Sequence, residues 1–138
     1  MDTPNFKRLL KNLRDINLPT DQFAIFGSGP LAARGLRDCR DLDIVVTTKL
    51  WKTLLKNYYP DTANPEKIIL VRSRPDGETE IEAFRSWQPW FSEVNDLIAT
   101  ADIIDGVRFV NLENVKKWKT EMGREKDKAD LHLLATIQ

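Results

Sequence analysis

The sequence predicts an α/β layer structure of the α+β kind, a mixed β-sheet flanked by helices. Three observations carry that expectation. Short apolar runs, FAIFG at 23–27 and LDIVVT at 42–47, alternate with helical segments in the first half. A hairpin signal, RPDGE, joins two extended runs in the middle, and two helical stretches close the chain. This order builds a mixed sheet under helical layers and not a uniform βαβ series.

The elements follow from periodicity and punctuation. Phe6, Leu9, Leu10 and Leu13 recur at helical spacing, with Thr3 or Asn5 available as a cap, so residues 5–15 read as an amphipathic helix. The strand at 23–27 stops at Gly27, and Pro30 opens a short helix over about 30–37, where its missing N–H costs nothing. After the strand LDIVVT, residues 48–59 form a helix with Leu50, Trp51, Leu54, Leu55 and Tyr58 on one face, stopped by Pro60. KIILVRS (67–73) and ETEIEAF (78–84) are strands joined at Asp76-Gly77. Residues 85–100 are aromatic and irregular or partly helical; ADIIDGVRFV makes two short extended pieces turning at Asp105-Gly106. A helix over 112–122 ends at Gly123, and a second helix follows, with Leu131 and Leu134 expected inside and its charges in solvent.

At 138 residues the chain reads as one domain over 1–138, burying roughly two-thirds of its unfolded surface. Basic and acidic residues balance at 21 each, so a nucleic-acid partner must be met by a local patch. No apolar run approaches the roughly 20 residues that span a bilayer, and MDTPNFKRLL has no signal-peptide character; the expected setting is cytoplasmic, with no membrane partner. The single Cys39 excludes an intrachain disulfide and an all-cysteine metal site.

The stretch FGSGPLAARGLRDCRDLDIVV (26–46) admits two readings. Gly27, Gly29 and Ala32 match the dinucleotide pattern G-x-G-x-x-A. Against it, the following helix is short and Asp41 and Asp43 come at the start of the next strand instead of its end. The chain also leaves little room for a second nucleotide-binding half. In the other reading, backbone N–H groups at Gly27, Ser28 and Gly29 cradle phosphate oxygens, with the Ser28 hydroxyl as a further donor. Asp41 and Asp43 alternate with Leu42 and Ile44, which puts both carboxylates on one face with Cα atoms about 6.6 Å apart. That spacing suits one hard cation such as Mg²⁺. Glu80 and Glu82 lie on one face of a later strand, and either completes a three-carboxylate cluster able to hold two cations. The apolar setting Ile81-Glu82-Ala83-Phe84 favours Glu82, with Glu80 as a solvated neighbour.

These motifs resemble the nucleotidyltransferase superfamily that includes DNA polymerase beta: Phe26-Gly27-Ser28, then Asp41-Leu42-Asp43-Ile44, then Ile81-Glu82-Ala83. The tail GVRFVNLENVKKWKTEMGREKDKADLHLL is similar to small prokaryotic relatives of abortive-infection toxins, through Lys119, Gly123, Arg124, Lys126, Asp127 and Asp130. The resemblance spans about residues 23–134 and implies a minimal nucleotidyltransferase fold. It implies an NTP substrate, with Gly27, Ser28 and Gly29 on the triphosphate and Lys119 and Arg124 neutralising it. Asp41, Asp43 and Glu82 would be the catalytic and Mg²⁺- or Mn²⁺-binding carboxylates, with Glu82 activating the acceptor hydroxyl. The acceptor stays open between an RNA end, a protein and a small molecule. A second class of function is a non-catalytic nucleotide-binding or toxin–antitoxin-type module that works with a protein partner. His132 and Cys39 read as structural. Trp87 and Trp90 are the aromatics placed to stack on a nucleobase, although packing is the simpler role for both.

Overall fold

The computed structural model describes residues 2–72 and 78–137. In chain order the elements are α1 (Pro4–Ile16), β1 (Phe23–Phe26), α2 (Gly29–Ala32), β2 (Leu42–Val46), α3 (Thr48–Leu54) and β3 (Lys67–Arg72). There follow β4 (Thr79–Phe84), α4 (Asn95–Ala99), β5 (Asp102–Ile104), β6 (Val107–Phe109), α5 (Leu112–Met122) and α6 (Glu125–Ala135). The fold class is the mixed α+β expected. The strands form one six-stranded sheet in the order β3-β4-β2-β1-β6-β5. β1 runs antiparallel to β2, while β2–β4 and β1–β6 are parallel. Among the described residues no helix is long and apolar enough to cross a membrane.

Strand alternation builds a core on each side of the sheet. Phe23, Ile25, Leu42, Ile44 and Ile81 face α1 and α3, meeting Phe6, Leu9, Leu13, Leu50 and Trp51. Ala24, Phe26 and Val45 face α4, α5 and α6, meeting Leu97, Val115, Trp118 and Leu134. Asp43 and Glu82 share this second face, just beyond its apolar layer. The central strand β1 is buried along its whole length, as a strand covered on both faces must be.

Three boundaries differ from the sequence expectation, and one falls outside the described residues. The helix expected over 30–37 ends at Ala32, because Arg34 and Arg37 turn away to pair with Asp102 and Asp130. The helix expected to reach 59 ends at Leu54; Leu55 is 42% and Tyr59 91% exposed, while Tyr58 still packs partly against the core. The N-terminal helix is capped neither by Thr3 nor by Asn5. The carboxylate of Asp38 instead accepts the N–H groups of Asn5 (3.0 Å) and Phe6 (2.8 Å) from 33 and 32 residues away. Burial pushes the Asp38 carboxyl up, and the N–H donors of Phe6, Asn5 and Cys39 outweigh it, leaving it below the ordinary 3.8. The turn at Asp76-Gly77 lies outside the described residues, though β3 and β4 pair antiparallel as a hairpin requires. The Asp105-Gly106 turn and the helix end at Gly123 fall where expected.

Gly29 has a packing role that the motif reading assigned to neither scheme. A Cβ on it would overlap Ile25 Cγ2, a stiff β-branched side chain fully buried in β1. Gly29→Ala is therefore expected to cost about 1–3 kcal/mol by overpacking. Urea denaturation measures it, and an unchanged midpoint would contradict the assignment.

Candidate functional site

The register of three strands assembles the site. Phe26 pairs with Asp43 across β1–β2, so the turn leaving β1 at Gly27-Ser28 passes directly over Asp43. The positive φ of 62° favours glycine at Gly27, and a Cβ there would also crowd the Asp43 carboxylate, at 2.9 Å from Oδ2. Asp43 pairs with Glu82 across the parallel β2–β4 ladder. This register distinguishes the two glutamates. Glu82 lines the central cavity, whereas Glu80 is bound at 2.6 Å by Arg8, and these two line a separate, smaller cavity. Glu80 is nonetheless buried, at 8% exposure, and is not the solvated neighbour expected.

The cavity has a volume of about 1100 Å³. Gly27, Ser28, Asp41, Asp43, Glu82, Lys119 and Arg124 all open onto it; of the predicted residues only Gly29 does not. Among the described residues, the carboxylates of Asp41 and Asp43 have no hydrogen-bond or ion-pair partner. Burial, then the negative charges of Asp41 and Glu82, push the Asp43 carboxyl up to about 7. Burial and Glu82 raise Asp41 as well. Two adjacent, unpaired, mutually repelling carboxylates on a cavity wall are a place where positive charge is stabilised.

Glu82 stands apart from that pair in one respect. Lys67 Nζ lies 2.6 Å from its Oε2, without the alignment of a hydrogen bond, so this buried oxygen has a charge partner but no directed bond. Accordingly, no three His, Cys, Asp or Glu side chains among the described residues are gathered as a ready metal cage. The expected three-carboxylate cluster is adjacent in the sheet but not closed around one point. Asp41 and Asp43 alone still fit Mg²⁺, which is commonly held by one or two carboxylates with waters and phosphate oxygens completing the shell.

The same cavity is also lined by cations, and α6 organises them. Lys119, 2% exposed, donates to Asp130 Oδ2 at 2.8 Å and lies 3.6 Å from Asp127. Arg124 grips Asp127 through Nε at 2.6 Å and Nη2 at 3.1 Å. Asp127 and Asp130 are thus buried, and α6 does not present the wholly solvated charged face expected from its composition. Burial raises both carboxyls, but Arg124 at Asp127, and Arg37 and Lys119 at Asp130, hold them below the ordinary 3.8.

Arg37 was not singled out by sequence reasoning. Its Nε and Nη2 hold Asp130 at 2.6 and 2.8 Å, and Nη2 also donates to Ser28 Oγ at 2.6 Å. The available signal lay in α6, where Asp127, Asp130 and Leu134 share one helical stripe. A buried Leu on that stripe puts two aspartates inside, and buried aspartates need cations.

The aromatics divide. Trp87 stacks on Phe26, with centroids 4.6 Å apart and 24° between planes, and meets Phe84 and Trp118 edge-on. It is core packing. Trp90 is half-buried and lines the cavity. His132 is exposed. Cys39 is buried, and burial with the charges of Asp38 and Asp41 pushes its thiol to about 12, which keeps it protonated and unreactive.

The topology bears on the dinucleotide reading. A βαβ nucleotide-binding unit needs parallel strands on either side of its glycine turn, and β1 and β2 are antiparallel. Comparison of the chain with protein-family models, curated proteins and solved structures returns no match.

Proposed function

We propose that this protein is a metal-dependent nucleotidyltransferase, moving a nucleoside monophosphate from an NTP to a hydroxyl acceptor. The observation that carries the proposal is the unpaired Asp41–Asp43 couple beneath the Gly27-Ser28 turn, lining one cavity with Lys119 and Arg124. Asp41 and Asp43 are the residues that would hold Mg²⁺ or Mn²⁺. The bound cation would supply charge neutralisation at the phosphates and polarisation of the attacking oxygen. The chain's own part is positioning and electrostatics. The Gly27-Ser28 turn binds the polyphosphate, and Lys119 and Arg124 offset charge on the departing pyrophosphate. The acceptor oxygen would form a bond to the α-phosphorus as the α–β bridging P–O bond breaks with pyrophosphate leaving, and Glu82 would take the acceptor's proton. In this reading the protein works in the cytoplasm, on an RNA end, a protein or a small molecule.

The test is incubation with α-labelled ATP, CTP, GTP and UTP, Mg²⁺ and cell extract. Label on RNA, protein or a small acceptor is expected for wild type and absent for Asp41→Ala. Equal Mg²⁺-dependent NTP affinity in both proteins, measured by calorimetry, would remove the metal assignment.

A second reading is favoured by the Lys67–Glu82 pair, which ties up the third carboxylate. On that reading the same cavity binds nucleotide with little turnover, as a sensor or toxin–antitoxin-type module that acts through a protein partner. Mg²⁺-dependent binding without any transferred label is its signature.

A further inference from the structure

We infer that Arg37 is a positioning residue of the phosphate turn: it holds the Ser28 oxygen as an acceptor, so that the hydroxyl proton is delivered to a phosphate oxygen of the ligand. This rests on the reading of Gly27-Ser28 as the polyphosphate site.

The inference follows from donor and acceptor counting. A serine hydroxyl has one proton and two lone pairs, and a guanidinium has donors only. Arg37 Nη2 therefore occupies a lone pair on Ser28 Oγ at 2.6 Å and cannot receive the Ser28 proton. Among the described residues no other acceptor takes that proton, while Ser28 opens onto the cavity. The O–H is left to point where an anion binds. A positive charge on its oxygen also strengthens it as a donor.

Arg37 is itself held by three hydrogen bonds to two partners. Asp130 of α6 takes Nε at 2.6 Å and Nη2 at 2.8 Å, and the Asp38 carbonyl takes Nη1 at 3.0 Å. Asp38 in turn caps α1, and Asp130 also binds Lys119 on the cavity wall. One planar fork thus sets the serine against the sheet, the N-terminal helix and the cationic wall together. A lysine has the charge but lacks the fork, and cannot hold Asp130 and Ser28 in one geometry.

A purely structural latch would share these bonds, so the test must separate latch from positioning. Affinity for ATP with Mg²⁺, and for inorganic tripolyphosphate with Mg²⁺, is measured by calorimetry for wild type, Arg37→Gln, Ser28→Ala and the double variant. Each single change is expected to weaken both probes about tenfold, the scale of one charge-assisted hydrogen bond. In the Ser28→Ala background, Arg37→Gln should then add no more than about twofold, because its effect passes through the hydroxyl. A full tenfold loss persisting in that background overturns the inference, as does unchanged affinity in Arg37→Gln. Should Arg37→Gln fail to fold, the cycle is run with Arg37→Lys, judged by the same coupling. Wild type that binds neither probe overturns both this inference and the functional reading. Wild type that binds both, without coupling, overturns only the role of Arg37.

Discussion

Asp43→Asn is expected to raise the melting temperature of the metal-free protein at pH 8 and, in the same molecule, to abolish Mg²⁺-dependent nucleotide binding. Both effects have one cause. The Asp43 carboxyl titrates near 7 in the fold, against an ordinary 3.8, because it is buried beside Asp41 and Glu82. A carboxyl raised in the folded state binds more protons there than in the unfolded chain, so stability falls as pH rises from about 4 to 7. The full shift corresponds to about 4 kcal/mol, and some exposure to the cavity reduces that to about 2–4 kcal/mol. Asparagine keeps the shape and removes the charge, so at pH 8 in EDTA the melting temperature should rise on the order of 10 °C. At pH 4 the gain should vanish, since the wild-type carboxyl is then protonated. Loss of one of two ligating carboxylates should weaken Mg²⁺-dependent NTP affinity by at least about a hundredfold. Calorimetry and thermal melts on the two proteins check both halves. An asparagine variant that melts below wild type at pH 8 would contradict the charge-strain account.

Local periodicity makes part of this site legible in the sequence, and long-range pairing builds the rest. Asp41 and Asp43 are two apart on a strand, and period-two geometry alone puts them on one face. The strand itself is announced by Ile44, Val45 and Val46, and its neighbour by FAIF. For Glu80 and Glu82 the local apolar setting favours Glu82, but its pairing with Asp43 depends on a parallel register between segments some forty residues apart, which no local pattern encodes. The same holds for Asp38, whose cap on α1 spans 33 residues, and for Arg37, whose partner lies 93 residues away. Lys119 and Arg124 were singled out only through the family resemblance, and the buried aspartates that hold them were not expected inside. Composition made α6 look solvated, since charged residues are rarely inside; Asp127 and Asp130 are inside because each is paired. Helix lengths failed for a related reason: past Ala32 the chain is drawn off by the Arg34–Asp102 and Arg37–Asp130 pairs, and Tyr58 still packs against the core although α3 has ended, so helical spacing alone does not set the end.

Asp130→Ala is expected to be the most destabilising change in the cationic wall, at about 3–5 kcal/mol, because it breaks a buried ion network from the side that leaves charge behind. Lys119 Nζ, with its side chain 3% exposed, would keep only Asp127 at 3.6 Å, and Arg37 would lose both arms of its fork. Lys119→Met should cost less. It removes the buried cation, fills similar volume, and leaves Asp130 bound by Arg37 and Asp127 by Arg124. Urea denaturation of the three proteins at pH 7 in EDTA orders them, and a Lys119→Met variant less stable than Asp130→Ala would overturn the assignment. The pH dependence gives a second, independent check. Asp127 and Asp130 have depressed carboxyls, so their contribution is complete above the ordinary 3.8 and is lost as pH falls through their lower folded values. Asp43 acts in the opposite sense at higher pH, adding repulsion as pH climbs toward about 7. The metal-free protein should therefore be most stable on the acid side of neutrality, between these two transitions. Asp130→Ala should flatten the lower limb, Asp43→Asn the upper one, and a cation bound at Asp41 and Asp43 should move the optimum back toward neutral pH.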